Sequence, residues 1–147
     1  MKIMDKTKQK NALMIAFPIE AGNFKDAGEA SSKIKSRLLQ LGFQGPLIRR
    51  VAIATYEAEM NLVIHSEGGI IKAEINPGSV IILVTDVGPG ISDLNKAMQE
   101  GFSTAPEHVR EMGFGAGMGL PNMCSCASEF FIDSEIGKGT TIKMLIS

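Results

Sequence analysis

The sequence predicts an α+β fold: a two-layer sandwich in which a mixed, mostly antiparallel sheet is covered on one face by helices. Three observations carry that expectation. Two early stretches hold apolar residues at helical spacing, and strands joined by tight turns follow them. The AVILMFWYC set makes up 44% of 147 residues, enough for a packed core. Helices and hairpin strands falling in separate runs favour this class over an alternating parallel one.

Each element has its own reason. Lys2, Lys6, Lys8 and Lys10 make residues 1–10 a basic, solvated tail, leaving 11–147 as a single domain. Ala12–Ile19 carries Leu13, Ile15 and Phe17 on alternate positions, the first strand. Phe24 to Leu41 has Ala27, Ala30, Ile34, Leu38 and Leu41 at helical spacing, and Gly42 stops that helix. A second helix starts near Pro46, suited to a first helical turn, and runs through Val51, Ala54, Ala58 and Leu62 toward His65, ending at Gly68-Gly69. A hairpin follows. Ile71, Ala73 and Ile75 alternate with Lys72, Glu74 and Asn76, and Asn76-Pro77-Gly78-Ser79 turns the chain into the continuous apolar run Val80–Val84, an inner strand. Ile91 to Gly101 reads as a short helix and Phe102 to Met118, with poor periodicity and many glycines, as a mobile loop. Leu120 to Ser128 is a helix entered through Pro121. Glu129–Asp133 and Thr140–Ile146 close the sheet around Gly137-Lys138-Gly139.

Composition excludes several functions. Fifteen basic against sixteen acidic residues give a net charge of −1, so bulk charge does not draw this chain to nucleic acid. No stretch reaches the ~18 apolar residues of a membrane helix, and Ala12–Phe17 is shorter than a signal-peptide core, which points to the cytoplasm. Cys124 and Cys126 are too close in chain for an easy mutual disulfide and read as reduced thiols on a helix; His65 and His108 belong to no zinc motif.

The glycines are unevenly spread. Of sixteen, seven lie between Gly88 and Gly119. Gly113, Gly115, Gly117 and Gly119 alternate just before Leu120 opens a helix. Backbone free of side chains there can approach an anion closely, and a helix start adds N–H donors and a positive dipole end. The pattern is neither a P-loop nor G-x-G-x-x-G, and taken alone it also fits a flexible linker. Asp86-Val87-Gly88-Pro89-Gly90 ends the apolar strand with a carboxylate poised to accept from a ligand amine; alone it also fits a plain turn. Glu57, Asn61 and His65 stand at i, i+4 and i+8 on one helix face, where an Asn carbonyl can ligate Mg²⁺ and a carboxylate can act as general base. A solvated face is the alternative. Glu59 points about 200° away from Glu57 and falls outside that stripe.

Taken together, these segments resemble the GHKL ATPase superfamily of histidine-kinase catalytic domains, gyrase-type and chaperone ATPases. Glu57 to His65 looks like its N box, Asp86 to Ile91 its first glycine box, Gly113 to Leu120 its second, and Gly139-Thr140 its final Gly-Thr element. The chain is similar to bacterial anti-sigma factors and their related switch serine kinases, and Asp86 to Thr104 resembles the switch-kinase branch in particular. Leu62 and Ser66 stand where the family often has Ala and Gly, and the insertion Pro106–Met112 is longer than in the switch kinases. The resemblance implies a Bergerat-type fold binding ATP and Mg²⁺. Glu57 would be the base and Asn61 the Mg²⁺ ligand. Asp86 would hold the adenine amino group with Thr140 assisting through water, and Gly88, Gly90, Gly113, Gly115, Gly117, Gly119 and Leu120 would wrap the nucleotide. It further implies a serine or threonine kinase acting on a small STAS-type antagonist, or alternatively an ATP-liganded module that sequesters a sigma factor, with a homodimer as a further expectation. Arg110 would reach either a γ-phosphate or a protein partner. His65 is expected to be packed or to cap its helix.

Overall fold

A computed structural model describes residues 12–88, 90, 98–99 and 119–147. Five strands form one sheet in the order β1-β2-β3-β5-β4: β1 (Leu13–Ile19), β2 (Gly69–Asn76), β3 (Ser79–Asp86), β4 (Glu129–Glu135) and β5 (Gly139–Ile146). Every pairing among them is antiparallel. Among the described residues three helices, α1 (Glu29–Gln40), α2 (Gly45–His65) and α3 (Gly119–Cys126), accompany the sheet. The expected two-layer α+β architecture is what the chain adopts. The expected helix over 91–101, the loop over 102–118 and the tail over 1–10 lie outside the described residues, apart from 98–99.

The period-2 pattern of β2 works as the sequence suggests. Ile71, Ala73 and Ile75 are buried, and Asn76 pairs with Ser79 across the Pro77-Gly78 turn. β3 is the middle strand. Its apolar run has no polar alternation, yet only Val80, Ile82 and Val84 enter the core, because helices cover one face of the sheet. Ile81 and Leu83 lie half-buried on the other face, in register with Leu145 and Lys143. The core joins those β2 and β3 residues to Ile34 and Leu38 of α1, to Ile48, Val51, Ala54, Ala58 and Leu62 of α2, to Leu120 and Met123 of α3, and to Ile142, Met144 and Ile146 of β5.

The first helix starts later than its apolar spacing suggests. Residues 24–28 form turns, and Asn23 Oδ1 accepts the Asp26 N–H. The N-cap is Gly28, which has no side chain to cap the helix. The acceptor comes from α2: the Glu59 carboxylate receives the N–H groups of Gly28, Ala30 and Ser31 at 3.0, 3.2 and 2.7 Å, in a site where Glu59 is 1% exposed. A carboxylate at a helix N-terminus meets both unpaired donors and the positive end of the dipole. Burial still lifts the Glu59 carboxyl above its ordinary value, and those three N–H groups oppose that rise. At the far end of the same helix Leu41 is exposed rather than packed. The other limits move by one to two residues: α3 is Gly119–Cys126 and β4 reaches Glu135.

Arg50 ties the helical layer together. Its guanidinium donates to the Cys126 carbonyl at the end of α3 at 3.0 Å, to the Ser147 carbonyl at 2.8 Å and to Ser128 Oγ at 3.1 Å. A cation there satisfies a last-turn carbonyl and complements the negative end of the helix.

Candidate functional site

Polar residues gather in two clusters, one on α2 and one where β3 ends. The first sits at Glu57 and Asn61, one helical turn apart. Asn122 on α3 donates from Nδ2 to Glu57 Oε1 at 3.2 Å. Gly119, one turn before Asn122, comes so near that a Cβ on it would lie 3.2 Å from Asn61 Oδ1 and 3.5 Å from Glu57 Oε2. A glycine lets the start of α3 close over this pair. Arg50 precedes Glu57 on α2 and meets Cys126, which follows Asn122 on α3, so the two helices run antiparallel with the pair between them.

The second cluster forms where β3 ends. Asp86 Oδ1 accepts the Thr140 N–H at 2.6 Å, and Thr140 Oγ1 shares a 2.8 Å hydrogen bond with Ser134 Oγ. Gly139 adopts φ +117°, and a Cβ there would stand 2.7 Å from Asp86 Oδ1. Only glycine suits both that backbone and that approach. Burial raises the Asp86 carboxyl above its ordinary value while the Thr140 N–H pulls it down. Among the described residues the Thr140 N–H makes the one hydrogen bond to the Asp86 carboxylate. Gly88 packs against Ser66, and the Glu67 N–H reaches the Val87 carbonyl at 2.8 Å, which joins the end of α2 to the first glycine turn. Gly90 lies against the Glu135–Ile136 backbone.

Eight residues on from Glu57, His65 ends α2, and burial holds its imidazole below the ordinary histidine value. The Leu120 side chain is buried in the core. Gly113, Gly115, Gly117 and Arg110 lie outside the described residues. Cys124 is exposed rather than packed, and burial pushes the half-buried Cys126 thiol up.

The donor set suits Mg²⁺ bound with phosphates. Asn61 Oδ1 receives no hydrogen bond from any described residue, and it and the Glu57 carboxylate are hard oxygen donors. Among the described residues no three His, Cys, Asp or Glu side chains converge as a self-sufficient metal cage. That is the ligand-poor arrangement Mg²⁺ accepts when phosphate oxygens and waters complete its shell. No helix among the described residues is long and apolar enough to cross a membrane.

Three participants were not foreseen from sequence: Asn122, Ser134 and the structural carboxylate Glu59. Asn122 carries a signal of its own, since it follows Gly119 by three residues and so shares its helix face.

Residues 48–147 match the family described as histidine kinase-, DNA gyrase B- and HSP90-like ATPase. The chain is 39% identical over 107 residues to an anti-sigma F factor of Thermoanaerobacter sp. (strain X514), covering 67% of this chain and 71% of that protein. It is 36% identical over 103 residues to an anti-sigma F factor of Clostridium botulinum (strain Alaska E43 / Type E3), covering 66% and 68%. With the serine/threonine-protein kinase RsbT of Bacillus subtilis (strain 168) it shares 32% identity over 110 residues, covering 72% of this chain and 77% of the kinase.

Proposed function

Because the chain belongs to the histidine kinase-, DNA gyrase B- and HSP90-like ATPase family, in the branch of the anti-sigma factors and their related serine kinases, we propose that it is a protein kinase of the anti-sigma type. It moves the γ-phosphoryl group of ATP to a serine or threonine of a small STAS-type regulatory protein. The observation that carries this reading is the Glu57 carboxylate beside Asn61, with the start of α3 closed over both. A module that merely holds nucleotide has use for Asn61 and the glycines but none for a placed base.

Each residue has a stated task. Asp86 Oδ2 accepts from the adenine amino group, while Thr140 fixes the carboxylate through its N–H and completes the contact through water. Gly88 and Gly90 let the backbone run close to the nucleoside. Gly119 and the backbone N–H of Leu120 face the phosphates, and the same task falls by the second glycine box to Gly113, Gly115 and Gly117, which lie outside the described residues. Asn61 holds Mg²⁺, and bound Mg-ATP supplies the transferable phosphoryl group and a counter-charge for its oxygens. Glu57 takes the proton of the acceptor hydroxyl.

Several relatives are named anti-sigma F factors, which favours a second reading in which the ATP-liganded protein sequesters a sigma factor without transferring phosphate. A homodimer is compatible with both. Incubation with γ-labelled ATP and candidate STAS-type proteins separates the two. The kinase reading expects label on the partner and a drop of about 10²–10⁴-fold in Glu57→Gln, with ATP binding nearly intact. Tight ATP-dependent binding of a partner with no label on any acceptor would replace it by sequestration.

A further inference from the structure

We infer that Asn122 is a positioning residue for Glu57, holding the carboxylate through one oxygen so that the other is presented to the acceptor hydroxyl. The inference rests on the reading of Glu57 as base. It names a residue outside every motif that led to that reading.

The geometry is specific. Asn122 and Gly119 occupy one face of α3, three residues apart. That face lies over Glu57 and Asn61: Gly119 by close approach, Asn122 by its 3.2 Å bond to Glu57 Oε1. α3 is itself held in place. Leu120 and Met123, about 100° around the helix, anchor the adjoining side in the core, and Arg50 grips its last carbonyl. The amide of Asn122 is therefore delivered by a helix fixed on two sides. A glutamate side chain turns about three bonds, and a base works only within about 2.6–3.2 Å of the proton it takes. One donor on Oε1 removes most of that freedom and leaves Oε2 on the side where Gly119 closes in. The donor's chemistry also suits the task. An amide orients a carboxylate without adding a full positive charge, which would pair with it and weaken it as a base.

The test compares four proteins: wild type, Asn122→Leu, Glu57→Gln and the double variant. Each is assayed for nucleotide affinity by calorimetry and for phosphoryl transfer to an accepted partner. Asn122→Leu is expected to keep ATP affinity within about twofold and to lose about 10- to 100-fold in kcat, the scale of a misplaced catalytic group. In the Glu57→Gln background the same substitution should cost nothing further, because its effect passes through the carboxylate. Asn122→Asp, of the same size, sets a like charge against Glu57 and should lose at least as much; it carries the comparison if the leucine variant fails to fold. Asn122→Gln, which keeps the donor, should recover part of the rate. Transfer by Asn122→Leu at the wild-type rate overturns the inference and leaves the kinase reading standing. So does a full-sized loss that persists without the Glu57 carboxylate. A wild-type protein that binds Mg-ATP but labels no acceptor overturns the proposed function, and the positioning role falls with it.

Discussion

Asp86→Asn replaces one carboxylate oxygen by an amide nitrogen at the end of β3. The Thr140 N–H, 2.6 Å from Oδ1, decides which way the new amide turns. Its oxygen keeps that bond, so its NH₂ group takes the place of Oδ2 and meets the adenine amino group donor to donor. The lost bond to a charged acceptor is worth about 1.5–3 kcal/mol, which weakens ATP about 10- to 150-fold. Guanine presents a carbonyl at the same ring position, and an amide can donate to it. GTP should therefore lose little affinity or gain some. Calorimetric titration of both proteins with ATP and GTP in the presence of Mg²⁺ reads the difference. Unchanged ATP affinity, or equal losses for the two nucleotides, would refute the assignment of Asp86 to adenine. The pH dependence follows with its sign. Burial raises the Asp86 carboxyl in the folded chain above its unfolded value of 3.8. This group's contribution to stability therefore falls as pH rises from below 3.8 through the raised value. Adenine binding needs the ionised form and runs the other way: affinity weakens as pH drops through the raised value. Asp86→Asn should remove that acid limb and the accompanying stability slope.

Asn61→Ala deletes the carbonyl oxygen beside Gly119, so ATP affinity and transfer should fall together; isothermal titrations with and without Mg²⁺ should then differ less than in wild type. A Mg²⁺ effect undiminished in the variant would move the metal elsewhere. Glu59→Gln leaves one acceptor for three N–H donors and turns an NH₂ group toward the rest. Its expected cost is about 2–4 kcal/mol, or roughly 7–14 °C in Tm for a chain of this length. A thermal melt within about 2 °C of wild type would show that the cap is not holding α1.

Local signals were read well from the sequence, and contacts between elements were not. The hairpin Gly69–Asp86 needs only alternation and a Pro-Gly turn, both contained within it. The N-box pair is likewise local, since i and i+4 on any helix share a face. The start of α1 was misplaced because its cap is not local. Apolar spacing from Phe24 onward fits a helix, but the acceptor that decides where the helix begins is Glu59, on another element. The role of Glu59 was half legible: the helical angle set it apart from Glu57 without saying what it faced. Asn122 and Ser134 meet Glu57 and Thr140 only after α3 packs on α2 and β4 pairs with β5. Leu120 shows the same limit in reverse. Its place beside the glycines is legible, but the burial of its side chain follows from three-dimensional packing.

The Glu59 clamp also constrains the order in which the chain can assemble. The N–H groups at the start of α1 wait for an acceptor 28 to 31 residues further along. At 12 residues, α1 falls where an isolated helix is marginal in water, and nucleating it fixes about six dihedrals for a single bond. During synthesis, then, α1 has no stable beginning until the middle of α2 has emerged. A fragment that stops short of Glu59 leaves those amides to water and stays largely unhelical. The start of the earlier helix thus depends on a carboxylate of the later one.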